Sequence, residues 1–205
     1  MRIIAGIFRG RQLFAPEGIT TRPTTDRVRE AWFNMIGPID GPVLDLYAGT
    51  GALGFEALSR GATRAVFVEK DRQAIEAIKR NAKKLDVEER ITILATTVEG
   101  CRTQVQGQGP FQLIVTDPPW TSIEECGLSL KRLIRPELLL AQGQLVLGYP
   151  KGKAISCGVT SGLKERKSRS WGRAAASFYV LEDQESKEPE DVNLDAFEAD
   201  EHEHL

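Results

Sequence analysis

The 205-residue chain is 41% hydrophobic and 27% charged, an ordinary soluble composition that suits one α/β domain with some appended sequence. No apolar run approaches the ~20 residues of a membrane span, Met1-Arg2 opens no signal peptide, and the three cysteines are too scattered for a disulfide framework or zinc cluster. That pattern reads as a reduced, cytoplasmic protein without membrane attachment. Histidine occurs only as His202 and His204, so the body has no histidine for a general base or for ligating a metal, and no metal is expected.

The formal net charge of −2 is unevenly placed. Glu182–Leu205 holds eleven of the 29 acidic residues and one of the 27 basic ones, a net of −10, which leaves +8 on the preceding 181 residues. A cationic body suits a polyanionic partner. The expected division is residues 1–24 as a basic N-terminal element, 25–182 as the main domain, and 183–205 as an acidic tail with too few large apolar residues to fold.

In chain order, residues 1–24 read as a small extended or hairpin element rich in Arg and Gly. Arg2, Arg9, Arg11 and Arg22 of this element, with Arg27 and Arg29 just after it, are candidate phosphate contacts as a group, although each taken singly reads as solvated surface. Pro23 disfavours helix at Arg22, so the chain approaches extended. A helix starts near Thr25, capped by Thr24 or Thr25 with Asp26 in its first turn, and Val28, Ala31, Trp32 and Met35 share one face. Short apolar segments follow at Val43–Tyr47, Ala65–Glu69, Ile91–Leu94, Phe111–Thr116 and Gln144–Gly148, as strands buried on both faces do. A helix from about Asp71 to Leu85 lies between the second and third. Ser177–Glu182, after Gly172, reads as a last antiparallel strand. Alternating strands and helices give a doubly wound, mostly parallel, Rossmann-like sheet with ligands at the carboxyl ends of its strands.

The first strand runs through Asp45, Tyr47, Gly49, Thr50 and Gly51 into a helix, and glycines there let backbone approach a ligand closely. Gly49, Gly51 and Gly54 satisfy a dinucleotide pattern, which makes an NAD enzyme the first rival. Asp45, within the strand, instead suits the ammonium of a methionyl group, and would repel a pyrophosphate. Glu69 ends the second strand, where it can accept both ribose hydroxyls, with Lys70 beside it. These residues favour S-adenosylmethionine. Asp117-Pro118-Pro119-Trp120 follows the fourth strand at the same sheet edge. Two prolines remove two N–H donors, so the Pro118 carbonyl and the Asp117 carboxylate can accept both hydrogens of an exocyclic amine, and Trp120 offers a stacking face. These hydrogen bonds favour a pyramidal nitrogen with its lone pair aimed at the methyl, so positioning supplies most of the rate, and Asp117 can take the proton lost after transfer. The base must be unpaired or flipped.

With these motifs placed, the chain resembles the bacterial RsmD-type family, guanine-N2 methyltransferases of small-subunit (16S) ribosomal RNA. The resemblance spans about residues 2 to 181. It rests most specifically on Arg2-Ile3-Ile4-Ala5-Gly6, Arg9-Gly10-Arg11 and Thr21–Glu30, then on Leu44–Gly54, Glu56–Ala62 and Asp117-Pro118-Pro119. It implies a cytoplasmic enzyme that modifies one guanine during small-subunit assembly and whose N-terminal element grips RNA; a monomer is expected. Three positions depart from the family: Trp120 replaces a Tyr or Phe, Thr96-Thr97 stand where an acceptor for the cofactor's adenine amine is common, and Gly148-Tyr149-Pro150 lacks an acidic residue. Thr97 and Val98 are still counted with the cofactor pocket. Two other readings stand beside this one, an adenine-N6 methyltransferase acting on DNA or RNA and a non-catalytic RNA-binding assembly factor.

Overall fold

The computed structural model describes residues 1–16, 25–153 and 162–182. Three strands form one half of its sheet: β1 (Val43–Leu46), β2 (Ala65–Glu69) and β3 (Ile91–Ala95). The other half holds β4 (Phe111–Thr116), β5 (Leu139–Pro150), β6 (Leu163–Trp171) and β7 (Ala174–Leu181). Their order is β3-β2-β1-β4-β5-β7-β6. The first five are parallel, while β7 runs antiparallel to both β5 and β6. Strand order reverses between β1 and β4, which opens a crevice at their carboxyl ends. The Rossmann-like fold is as the sequence implies.

Why the strand sequences are continuously apolar follows from two core layers. Val43, Ala65, Phe67, Leu113 and Val115 face one layer, with Trp32, Phe33 and Phe55. Their neighbours Leu44, Val66, Val68 and Ile114 face the other, with Leu130 and Leu133. With both sheet faces covered, no alternation of polar and apolar residues survives. The last two strands differ from expectation. The sequence reads one strand after Gly172, whereas β7 begins earlier, at Ala174, and an additional strand, β6, precedes it. β6 is exposed from Lys164 to Ser170, so it carries no hydrophobic period to read.

The helices that shape the crevice start where local chemistry dictates. Helix α1 (Asp26–Ile36) is capped by Thr25, whose hydroxyl accepts the Val28 N–H, and ends at Gly37 with φ 84°. Helix α2 (Ala52–Ser59) leaves the glycine loop directly. Helix α3 (Arg72–Leu85) is capped by Asp71, which accepts from Ala74 N–H, and places Lys83 and Lys84 at its negative end. Helices α4 (Arg102–Gln106) and α5 (Ile123–Leu133) cover the second face.

Residues 1–13 form a hairpin, closed by Ile3 N–H to Arg11 O and Leu13 N–H to Met1 O. Its backbone is bonded to α2. The Glu56 carboxylate accepts from Ile4 N–H at 2.8 Å and Ala5 N–H at 3.1 Å, and Ser59 takes Ile7 and Phe8 N–H. Contact is so close that a Cβ on Gly6 would lie 1.8 Å from Ser59 O, and Gly6 also has φ 82°. Glu56 is fully buried and also pairs with Arg60 Nε at 2.8 Å and Arg29 Nε at 3.8 Å. Arg29, 1% exposed, donates onward to Asp26 and to the Arg2 carbonyl. Farther along, buried Asn81 of α3 accepts Phe14 N–H and donates to the Phe14 and Thr50 carbonyls, tying the chain after the hairpin to the glycine loop.

Removing Glu56 leaves Arg29 charged and buried without its main counter-ion, a loss of roughly 3–5 kcal/mol for a broken buried pair. Glu56→Ala is therefore expected to lower the urea midpoint strongly without changing the slope of the transition. A midpoint within error of the parent would show that the clamp carries no stability.

Candidate active site

The loop after β1 is built around two buried or half-buried carboxylates. Asp45 is 1% exposed, and its Oδ2 accepts the Gly54 N–H at 2.9 Å. Its Oδ1 is buried and has no hydrogen-bond partner among the described residues. Glu69, at the end of β2, accepts Gly49 N–H at 2.7 Å on one oxygen and the Lys70 and Asp71 N–H on the other. A carboxylate offers about four acceptor sites, so about one is left on Glu69 for a hydroxyl. Tyr47, at φ 57°, turns the strand into the loop, and burial raises its phenol above the ordinary value.

The glycines divide into two kinds. Side chains at Gly51 and Gly54 would strike Phe67 and, for Gly51, Phe55, so these two permit α2 to lie close on the sheet. Gly49 has φ 54° and open space where a Cβ would be, so the backbone there is a cradle exposed to a ligand. Thr50 is buried behind it.

Electrostatics decide what such a cradle accepts. Burial raises the Asp45 carboxyl well above its ordinary range; the Gly54 hydrogen bond opposes this, and Glu69 and Asp117 push it further up. Two carboxylates of the loop, Asp45 and Glu69, thus stand close together, and the charge of Asp117 also acts on Asp45. A cationic ligand fits this field, and the ammonium and sulfonium of S-adenosylmethionine are cations. The unpartnered Asp45 Oδ1 awaits a donor, as the methionyl ammonium would supply. A dinucleotide's pyrophosphate would meet repulsion instead. The residues present therefore fit S-adenosylmethionine and not NAD.

Across the crevice, Pro118 is buried after β4, and Trp120 begins a single 3₁₀ turn. Asp117 and Trp120 line a cavity of about 310 Å³. Its other walls come from Thr25, Val28 and Trp32 of the α1 segment, Tyr149 at the end of β5, and the β6–β7 turn at Trp171 to Ala175. The volume and aromatic walls suit a planar base. Gly148 fits between them, since a Cβ there would approach Trp32 at 2.5 Å and Asp117 Oδ1 at 2.7 Å.

The structure brings Asp45, Tyr47, Gly49, Thr50, Gly51, Glu69 and Lys70 together on the β1–β2 side, and Asp117, Pro118, Pro119 and Trp120 on the β4 side. Val98 is buried, and Thr97 is exposed just after β3 with its hydroxyl accepting Gly100 N–H at 3.2 Å. Arg2, Arg9, Arg11 and Arg27 are exposed. Arg29 corrects the expectation of an RNA contact: it lies inside the clamp, bonded on several sides, and has no surface for a phosphate. Arg22 lies outside the described residues. Sequence reasoning missed Tyr149, Trp171 and Arg173 as cavity residues and placed Trp32 only on a helix face. A Trp-Gly-Arg turn between a polar run and an apolar one was the available signal. Among the described residues, no group of three His, Cys, Asp or Glu side chains is placed to hold a metal, and no helix is long and apolar enough to cross a membrane.

A family model described as "Conserved hypothetical protein 95" matches residues 1–180. The chain belongs to this family, the RsmD family of ribosomal RNA methyltransferases. Among RsmD-family relatives, YlbH of Bacillus subtilis (strain 168) is 43% identical over 123 residues, 58% of this chain and 67% of its own length. Ribosomal RNA small subunit methyltransferase D of Escherichia coli (strain K12) is 38% identical over 122 residues, 58% of this chain and 60% of its own length. The chain thus spans about three fifths to two thirds of these relatives. The solved structure of yhhF from Escherichia coli superposes with a TM-score of 0.72 at 30% identity, covering 90% of this chain and 99% of that one.

Asp45 yields a test that needs no RNA. Its folded carboxyl titrates above its unfolded value, so above pH 3.8 the free folded state binds more protons than the unfolded one. Its contribution to stability is full below that value and is lost as pH rises through the folded one. Asp45→Asn is expected to stabilise the free protein at neutral pH, seen as a higher melting temperature, and to weaken S-adenosylmethionine binding at least tenfold by calorimetry. In the parent, cofactor affinity should rise with pH as Asp45 ionises, and the mutant should lose that dependence. Unchanged affinity in Asp45→Asn refutes the ammonium assignment.

Proposed function

We propose that this protein transfers a methyl group from S-adenosylmethionine to the exocyclic N2 amine of a guanine in small-subunit ribosomal RNA. The proposed setting is a small-subunit assembly particle in the cytoplasm, with the protein acting as a monomer. One observation carries the reading. The crevice puts Asp117-Pro118 between a cradle suited to a cationic cofactor and an aromatic cavity sized for a base. The E. coli relative bears the name of a small-subunit rRNA methyltransferase, which supports the same substrate class.

The bound cofactor supplies a methyl group already activated on a sulfonium. The chain's own residues do the rest. Asp45 offers its free oxygen to the ammonium. Glu69 has room for one ribose hydroxyl, and capture of both requires the Gly49 N–H to release it. Trp120 stacks on the flipped base, and buried Trp32 with Tyr149 closes the cavity around it. The Asp117 carboxylate and Pro118 carbonyl accept the two hydrogens of the target amine, which turns the nitrogen lone pair out of conjugation with the ring. That orientation lowers the barrier. After transfer the methylated nitrogen is strongly acidic, and Asp117 takes its proton without needing a raised pKa. The arginines of the hairpin, Arg2, Arg9 and Arg11, with Arg27 on α1, contact phosphates as a group.

Labelled methyl transfer to small subunits lacking the modification, followed by digestion to nucleosides, tests the reading. The expected product is N2-methylguanosine; N6-methyladenosine, or no transfer despite cofactor binding, overturns it. Asp117→Ala is expected to cut turnover about 10²-fold or more while cofactor affinity is retained. Asp117→Asn keeps one accepting oxygen. It retains part of the activity if orienting the amine dominates, and almost none if proton acceptance does.

A further inference from the structure

The edge strand β6 reads Leu-Lys-Glu-Arg-Lys-Ser-Arg-Ser-Trp, and its residues from Lys164 to Ser170 are all exposed. An edge strand is commonly blunted by charge to prevent pairing with other chains, so basic residues alone carry little meaning. Their arrangement carries more. The register with β7 slips between Glu165 and Lys167, so Arg166 is an extra residue, a β-bulge. Beyond the bulge, Lys167 pairs with Phe178, Arg169 with Ala176 and Trp171 with Ala174; before it, Lys164 pairs with Val180. Directly paired residues share a face, and side chains alternate along a strand. Lys164, Lys167, Arg169 and Trp171 therefore lie on one face, and Glu165, Ser168 and Ser170 on the other. Without the bulge, Lys164 would share its face with Ser168 and Ser170. The inserted Arg166 thus sorts Lys164, Lys167 and Arg169 from the acid and the serines.

The cationic face is the one that carries the base cavity. Ala176, Phe178, Trp171 and Ala174 belong to the core layer that includes Trp32 and Val28 of α1. Trp171 is itself a cavity wall, and Arg173, exposed in the turn that follows, is another. Among the described residues, none of Lys164, Lys167, Arg169 and Arg173 forms an ion pair with a carboxylate. The row of cations thus leads along roughly 20 Å of strand, at about 3.3 Å per residue, to the mouth of the pocket.

We propose that this face of β6 and the Arg173 turn form a second RNA contact, separate from the N-terminal hairpin. Lys164, Lys167 and Arg169 take phosphates of the strand flanking the target nucleotide, and Arg173 takes the phosphate of the flipped nucleotide itself. The inference rests on the reading of the cavity as the base site.

The test uses the full chain and a small-subunit rRNA transcript. Replacing Lys164, Lys167 and Arg169 together by Gln is expected to reduce the slope of log affinity against log salt by about 2, the value for three phosphate contacts on single-stranded RNA. KM for small subunits lacking the modification should rise at least tenfold, with kcat at saturation and cofactor affinity unchanged. Arg173→Gln should lower kcat/KM at least tenfold, and Arg173→Lys should recover part of it. Placing lysines on the opposite face (Ser168→Lys, Ser170→Lys) in the triple-Gln background should restore nothing. An unchanged salt slope, or full recovery from the opposite face, overturns the proposal. So does a triple variant whose only change is self-association by light scattering, which would make the charges edge protection. Because the salt slope measures binding, it decides this contact even if the parent transfers no methyl, an outcome that would sink the functional reading instead.

Discussion

The structure hangs on one buried carboxylate. Glu56 has no exposure to solvent, and it accepts from two backbone N–H groups of the N-terminal hairpin while pairing with Arg60 of its own helix and Arg29 of α1. A charge there is tolerable only because it is surrounded by donors, and Arg29 is tolerable for the reciprocal reason. Burial pulls the Arg29 guanidinium below its ordinary value, and Glu56 and Asp26 oppose that. Replacing such a pair by apolar residues can cost little, so its use here is geometric. It fixes three separate segments in one relation: the hairpin, the helix that leaves the glycine loop, and the helix that contributes Trp32 to the cavity beside Asp117.

From that relation follows a division of charge across the crevice. On the side of the glycine loop, burial and the charges of Glu69 and Asp117 all oppose ionisation of Asp45, and the free folded protein bears that cost. Sites that receive a charged ligand store such destabilisation in the free state. On the outer side, β6 and the hairpin present cations to solvent. The anionic loop after β1 and the cationic edge strand thus stand on different sides of the crevice.

Much of this was legible in sequence because it is local. The glycine loop, its two carboxylates and Asp117-Pro118-Pro119-Trp120 sit at strand ends, and strand ends in a doubly wound sheet converge by topology alone. The helix at Asp26 was legible from Thr25 and the period of Val28, Trp32 and Met35. Arg29 was misread for a related reason. It stands between Val28 of the apolar face and exposed Glu30, and nothing local says that a glutamate 27 positions later will face it. β6 was invisible because an exposed edge strand has no hydrophobic period, and the bulge that gives its cations a shared face exists only in the pairing register. Tyr149, Trp171 and Arg173 were missed as cavity residues because the cavity is assembled from segments over a hundred residues apart.

Gly148 shows how those distant segments constrain one another. It is paired in the sheet beside the end of β4, and the space of its missing side chain is already taken by the Trp32 ring and the Asp117 carboxylate. Glycine there is dictated by the large residue on α1, since any Cβ would push either the cavity wall or the proposed amine acceptor out of place. Trp32, Gly148 and Asp117 are therefore one packing decision distributed over α1, β5 and β4. Asp117, on which methyl transfer is proposed to turn, occupies space that the glycine leaves beside the tryptophan.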